Sequence, residues 1–201
     1  MEKLHRIAVI VGSLREGSIN RKIARAMIAA APANLDCSMI EIGDLPLYNS
    51  DLDGDPPAPW TVFREAVRGA DGVLFVTPEY NRSIPGALKN AIDVGSRPYG
   101  KSVFSKKPAA VVSVSPGAIG GFGANHHLRQ ACVFLDMPVM QQPESYLGGV
   151  DDKSFDGAGG LAEGPLKDLV GKIAAAFANW VGLIHAGRVS LASDSAGSSS
   201  N

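Results

Sequence analysis

A chain of 201 residues, 45% hydrophobic and 19% charged, is long enough for one α/β domain with a sizeable core. Its net charge of −1 lacks the basic excess that nucleic acid or an anionic membrane surface would require. The two cysteines, Cys37 and Cys132, form no C-x-x-C pair, so buried free thiols are expected, with no disulfide, no metal site and a reduced, cytoplasmic setting.

The first element expected is a strand over His5–Val11 (HRIAVIV), apolar and β-branched enough to be buried in a parallel sheet. It lies behind Lys3, His5 and Arg6 and is too short for a signal peptide. The loop GSLREGSINR, Gly12 to Arg21, follows, and Ile19, Ile23, Ala26, Met27 and Ala30 then recur at helical spacing. A second strand is expected over Leu35–Ile42. The stretch Gly43–Pro59 holds too many prolines and acids for regular structure. A helix is expected over Trp60–Gly69 and a fully buried strand over Gly72–Thr77 (GVLFVT). Pro78 ends that strand, Glu79–Ser83 form a loop, and Pro85 opens a helix whose stripe is Ile84, Leu88, Ala91 and Ile92. A fourth strand, Ala109–Val114, precedes a second glycine-rich loop, Ser115–Gly123. Then come a helix over Ala124–Met137, a short fifth strand starting at Val139–Gln141, and a polar stretch from Gly148 to Gly164. Leu166, Leu169, Val170, Ile173, Phe177, Val181 and Ile184 mark a long final helix, and residues 191–201 read as a serine-rich tail. No stretch reaches the ~18 apolar residues of a transmembrane helix.

Strands alternating with helices predict a parallel sheet covered on both faces, with no repeat and no second domain. A phosphate-type loop after the first strand predicts the strand order 2-1-3-4-5, which places ligands beyond the strand ends at the switch point. The three unusual loops follow strands one, three and four, and so should meet there.

The first loop joins a strand end to a helix start, where free N–H groups and the helix dipole attract an anion. Ser13, Ser18 and Asn20 add short polar groups, and Arg15 adds a guanidinium suited to phosphate. Ser18 stands where a Walker A loop needs lysine, and Leu14 where a G-x-G-x-x-G loop needs glycine. The loop holds no cysteine nucleophile. What remains suits a terminal monophosphate.

Three motifs, GSLREGSINRKIA at 12–24, TPEYNRSIPGALKNAIDVGSRP at 77–98 and SVSPGAIGGFGANHHLRQ at 113–130, resemble the NADPH-dependent FMN reductase family, in its quinone and chromate reductase branch. The resemblance implies a flavodoxin-like three-layer sandwich with a five-stranded parallel sheet. It implies FMN as cofactor and NADPH or NADH as co-substrate. It further implies that Ser13, Arg15, Ser18, Ile19 and Asn20 hold the FMN phosphate, that Pro78, Glu79, Tyr80, Asn81 and Ser83 line one side of the ring, and that Ser115, Gly117, Gly120 and Gly121 meet its other edge. No catalytic side chain is required, because the flavin carries the chemistry. Quinones, azo compounds and oxyanions such as chromate are the implied acceptors, in a ping-pong cycle. Homodimers or homotetramers are implied, with Gly43–Pro59 and the third helix as candidate contacts. Two alternatives stay open at this point: a flavodoxin-type FMN electron carrier, and a flavin-free nucleotide-binding regulatory module.

Overall fold

Five parallel strands form one sheet in the order β2-β1-β3-β4-β5. They are β1 (His5–Val11), β2 (Leu35–Ile40), β3 (Gly72–Thr77), β4 (Ala109–Val114) and β5 (Tyr146–Leu147). The computed structural model describes residues 3–197, and from residue 189 onward the backbone only. Strand side chains alternate between the two faces, as a period of two requires. Ile7, Val9, Val11, Leu74, Val76, Ala110, Val112 and Val114 pack on one face, beneath α1 (Ile19–Ala29) and α5 (Pro165–Gly197). Ile10, Val73, Phe75, Ala109 and Val111 pack on the other, beneath α2 (Ala58–Arg68), α3 (Gly86–Gly95) and α4 (Phe122–Phe134). Covering on both faces is why GVLFVT and AAVVSV are apolar throughout rather than alternating.

Several boundaries differ from the sequence reading, among them the end of β2 at Ile40 rather than Ile42 and the start of α2 at Ala58 rather than Trp60. The fifth strand is Tyr146–Leu147, paired with Ser113 and Val114, while Val139 makes only an isolated bridge to Ala109. Pro138 and Pro143 bracket the expected strand, and a proline has no N–H to continue a ladder. α4 begins at Phe122 rather than Ala124, after Gly121 in the left-handed region at φ 73°. Within Gly43–Pro59 a short 3-10 turn forms at Ser50–Leu52, capped by the Asn49 side chain. The backbone of α5 runs to Gly197, into the stretch expected to be a tail; residues 198–201 lie outside the described residues.

Over Pro165–Arg188 α5 is long and apolar enough for a membrane span by length and composition, although Lys172 and Asn179 interrupt any unbroken apolar run. In the fold its stripe is spent on the sheet. Val170, Ile173, Phe177 and Val181 are buried, and Trp180 Nε1 donates to the Pro138 carbonyl at 2.9 Å. Both cysteines are free. Burial pushes the Cys37 thiol up to about 11 and the Cys132 thiol up to about 12, so neither is a nucleophile at neutral pH.

The stretch Gly43–Pro59 is pinned from within. Asn90 Oδ1 accepts the Tyr48 N–H at 2.8 Å, and its Nδ2 donates to the Leu45 and Pro46 carbonyls at 3.1 Å each. Tyr48 Oη donates to Asp53 at 2.9 Å, and Asp53 faces the buried Arg64 at 3.5 Å.

A second buried amide fixes the far edge of the sheet. Asn125 Nδ2 lies 3.2 Å from the Val111 carbonyl, 3.3 Å from Ser113 Oγ and 3.4 Å from the Ser145 carbonyl, and its Oδ1 accepts from Arg129 Nε at 2.9 Å. It ties α4 to β4 and to the residue that leads into β5. Asn125→Ala removes these buried bonds and the volume of the amide and should lower unfolding free energy by about 2–4 kcal/mol. Urea unfolding measures this; a change below about 0.5 kcal/mol, ordinary for a surface site, would show that the amide holds nothing together.

Candidate functional site

The loops after β1, β3 and β4 meet at one cleft of about 170 Å³. Ser13, Arg15, Ser18, Ile19, Asn20, Pro78, Glu79, Tyr80, Val114, Ser115 and Pro116 line it. Strand register brings them together: Val11 pairs with Val76 and Thr77 with Ser113, so the three chains leave the sheet nearly level. The Gly12 N–H extends the ladder by one bond, to the Val76 carbonyl at 2.8 Å.

The β1 side of the cleft is polar and positive. Ser18 caps α1, its hydroxyl accepting the Arg21 N–H at 3.2 Å, and the first turn of α1 carries no acidic residue. Ser13, Ser18 and Asn20 are each 3% exposed, and Asn20 Oδ1 is buried with no hydrogen-bond partner. Among the described residues, Arg15 makes no hydrogen bond or ion pair, whereas Arg21 is committed to Glu41 at 2.6 Å and Lys22 to Asp152 at 2.8 Å. The Arg21 guanidinium holds the Glu41 carboxyl below its usual range.

Of the sequence-derived site residues, Asn81, Ser83, Gly117, Gly120 and Gly121 do not line this cleft. Asn81 and Arg82 form the tip of the β3 loop, at φ 52° and 65°, inside a Tyr80–Ser83 bridge. Ser83 Oγ lies 2.9 Å from His127 Nδ1 on α4. Gly120, at φ 64°, is pressed on β5: a Cβ there would lie 2.6 Å from the Tyr146 carbonyl carbon, so no other residue fits. Its place is to seat the β4 loop on β5. Tyr80 is half exposed, at the rim. Sequence reasoning missed Val114 and Pro116 as lining residues; both sit inside a motif read only for its serine and glycines.

Glu79 does something the sequence did not signal. Its carboxylate is tucked against α4, where Oε2 accepts the Ala124 N–H at 3.1 Å, and Oε1 pairs with Arg82 at 3.1 Å. α4 has a glycine at its N-cap with no side-chain cap, so Glu79 supplies the missing acceptor from a different loop. The β3 loop is thereby clamped to the helix that follows β4.

Fold and cleft together define a mononucleotide-binding protein of the flavodoxin-like class. The chain belongs to the NADPH-dependent FMN reductase family, whose profile matches residues 5–152. It is similar to a quinone reductase of Pseudomonas putida, 58% identical over 184 residues, covering 91% of this chain and 98% of the relative. A 2-hydroxy-1,4-benzoquinone reductase of Burkholderia sp is 43% identical over 88% of this chain and 96% of its own length. Among solved structures, the flavoenzyme NAD(P)H:(acceptor) oxidoreductase FerB of Paracoccus denitrificans superposes with a TM-score of 0.84 at 36% identity, over 89% of this chain and 97% of that one. The protein is accordingly an oxidoreductase that uses FMN and NAD(P)H, and the carrier and regulatory alternatives fall away.

The residues present fit FMN. A buried, unpartnered amide oxygen beside two buried serines and an uncommitted arginine at a helix N-terminus matches a phosphate and the hydroxylated chain attached to it.

The clamp has a measurable consequence. Glu79→Ala removes a charged acceptor, an effect of about 1.5–3 kcal/mol, so hydrogen exchange of the Ala124 amide should speed up at least tenfold. Glu79→Gln, which keeps an acceptor oxygen, should change it far less. Equal protection in both variants would mean that the carboxylate holds nothing.

Proposed function

We propose that this enzyme is a quinone reductase of broad acceptor range, with FMN held across the cleft between the β1, β3 and β4 loops. The observation that carries this reading is the convergence of an uncommitted Arg15, buried serines and an unpartnered Asn20 at the switch point. Ser13, Arg15, Ser18, Asn20 and the Ile19 backbone hold the phosphate. Pro78, Glu79 and Tyr80 with Ser115 bound the ring site, and Asn81, Ser83, Gly117, Gly120 and Gly121 support those walls from behind. FMN bound there would supply the redox chemistry, two-electron hydride transfer between nicotinamide and acceptor. The protein's own work is placement: the clamped β3 loop and the β4 loop seated on β5 keep two walls at a fixed separation. An acceptor selected by a flat slot rather than by directed hydrogen bonds is selected loosely, so azo compounds and oxyanions such as chromate belong to its range beside quinones.

The same reading includes a homodimer or homotetramer in a cytoplasmic setting. Leu47, 80% exposed, and Val62, 69% exposed, crown the pinned Gly43–Pro59 loop and the adjoining α2. A rigid loop offering apolar side chains is suited to an interface.

Two measurements test the proposal. Arg15→Ala removes a charged partner of the phosphate, about 1.5–3 kcal/mol, and should weaken FMN binding about tenfold to a hundredfold. Riboflavin, lacking the phosphate, should lose much less; equal losses for both flavins would take Arg15 out of the phosphate site. In steady state, double-reciprocal plots against NAD(P)H at several quinone concentrations should be parallel, the mark of donor and acceptor using one site in turn. Intersecting lines would overturn the shared slot.

A further inference from the structure

At the amino-terminal end of the sheet, opposite the cleft, three side chains distant in sequence converge. His5 opens β1, Asp71 immediately precedes β3, and His185 lies on α5. Each offers one ligand atom, and the three atoms lie within 4.8 Å of one another. The two imidazole rings are stacked, with centroids 4.8 Å apart and planes 25° from parallel.

The groups that stand behind metal ligands are in place. His185 Nε2 lies 3.0 Å from the Asp71 carbonyl oxygen, which makes it the N–H donor and leaves Nδ1 as the basic nitrogen. Asp71 Oδ2 accepts the Arg6 N–H at 2.8 Å, leaving Oδ1 for another partner. The Asp71 N–H in turn donates to the Arg6 carbonyl at 2.6 Å, which locks the α2–β3 turn to β1. An imidazole whose second nitrogen donates to a backbone carbonyl, beside a carboxylate held by a backbone N–H, is the outer-shell arrangement of protein metal sites.

We propose that His5, Asp71 and His185 bind a divalent transition-metal ion of borderline softness, with Zn²⁺ the reference case. Two imidazoles and one carboxylate leave a fourth position for water and suit zinc, nickel or cobalt over magnesium and calcium, which demand oxygen donors. The surrounding charge makes strong donor bonds necessary. Lys107, whose ammonium donates to the Arg68 carbonyl at 3.2 Å and to the Ala70 carbonyl, feels Asp71, Arg6, Arg68 and Arg188 together. These cations repel any dication alike, so binding there must rest on the imidazole bonds, which zinc, nickel and cobalt form well and magnesium and calcium do not. Closing the donors to the ~3.3 Å edge of a tetrahedron with ~2.0 Å bonds rotates the two rings out of their stack. The ion then joins β1, the α2–β3 turn and α5, none of which touches the cleft through these residues, so its effect falls on stability and not on turnover.

The test uses the FMN-loaded, tag-free enzyme after chelator treatment, titrated with ZnCl₂ by calorimetry and with CoCl₂ by visible absorption. One Zn²⁺ per chain and the d–d bands of imidazole-bound Co²⁺ are expected, with a raised thermal midpoint. His185→Ala and Asp71→Asn should each weaken Zn²⁺ binding about tenfold or more and leave basal reductase activity unchanged. Asp71→Asn keeps an acceptor for the Arg6 N–H, so it carries the test if His185→Ala does not fold. His126 and His127, the other imidazoles of the chain, provide the control: replacing both with alanine should leave the stoichiometry at one. The proposal is overturned by the absence of saturable one-to-one binding, by binding that survives both His185→Ala and Asp71→Asn, or by binding that disappears when His126 and His127 are replaced.

Discussion

Between β1 and β3 the sheet changes the direction in which it is wound. β1 pairs with β2 on one side and β3 on the other, and α1 and α2 leave to opposite faces. Right-handed crossovers allow no other arrangement once the order is 2-1-3-4-5. A crevice opens where the two windings part, and it opens at the carboxyl ends of the strands. Every later feature of the site depends on that constraint. The level exit of β1, β3 and β4 sets Ser13, Pro78 and Ser115 side by side, and the N-terminus of α1 points its unbonded amides into the same space.

The cradle works with little charge. Of the cations clustered at the start of α1, Arg21 lies in a bidentate pair with Glu41, and Lys22 is held by Asp152 and by the Phe155 ring. Both are thereby committed away from the cleft. Among the described residues, Arg15, exposed on the loop, is the one cation lining it. A single guanidinium with a helix N-terminus neutralises a monophosphate; a di- or triphosphate would need the lysine and the metal-binding hydroxyl that the loop lacks. Tying the other two cations elsewhere leaves a cleft whose charge suits a monophosphate better than a polyphosphate.

Much of this was legible in the sequence because it rests on local rules. The limits of β1, β3 and β4 follow from apolar runs closed by Gly12, Pro78 and Ser115, and a loop placed at the end of each run has nowhere to go but the switch point. What was illegible depends on distant partners. β5 was misplaced because an apolar Val139–Met140 outweighs a two-residue strand whose partners, Ser113 and Val114, are set by Asn125 reaching the Ser145 carbonyl. The start of α4 was missed because its capping acceptor comes from Glu79, 45 positions away. Glycines in SPGAIGG read as room for a ligand, yet Gly120 makes room for the Tyr146 backbone.

The Glu79 clamp bears on why a carboxylate that lines the cleft can serve structure alone. Both of its oxygens are engaged, one with the Ala124 amide and the other with Arg82, and its side chain is 12% exposed. With both oxygens engaged, neither is free to reach a molecule in the cleft. The carboxylate's energy goes into geometry instead: it joins the β3 loop to α4, and α4 in turn holds β4 and the approach to β5 through Asn125. Loops from two strands therefore move as one body. Under the proposed reading, rigid walls of this kind would distinguish acceptors by thickness and planarity and so leave the acceptor weakly specified.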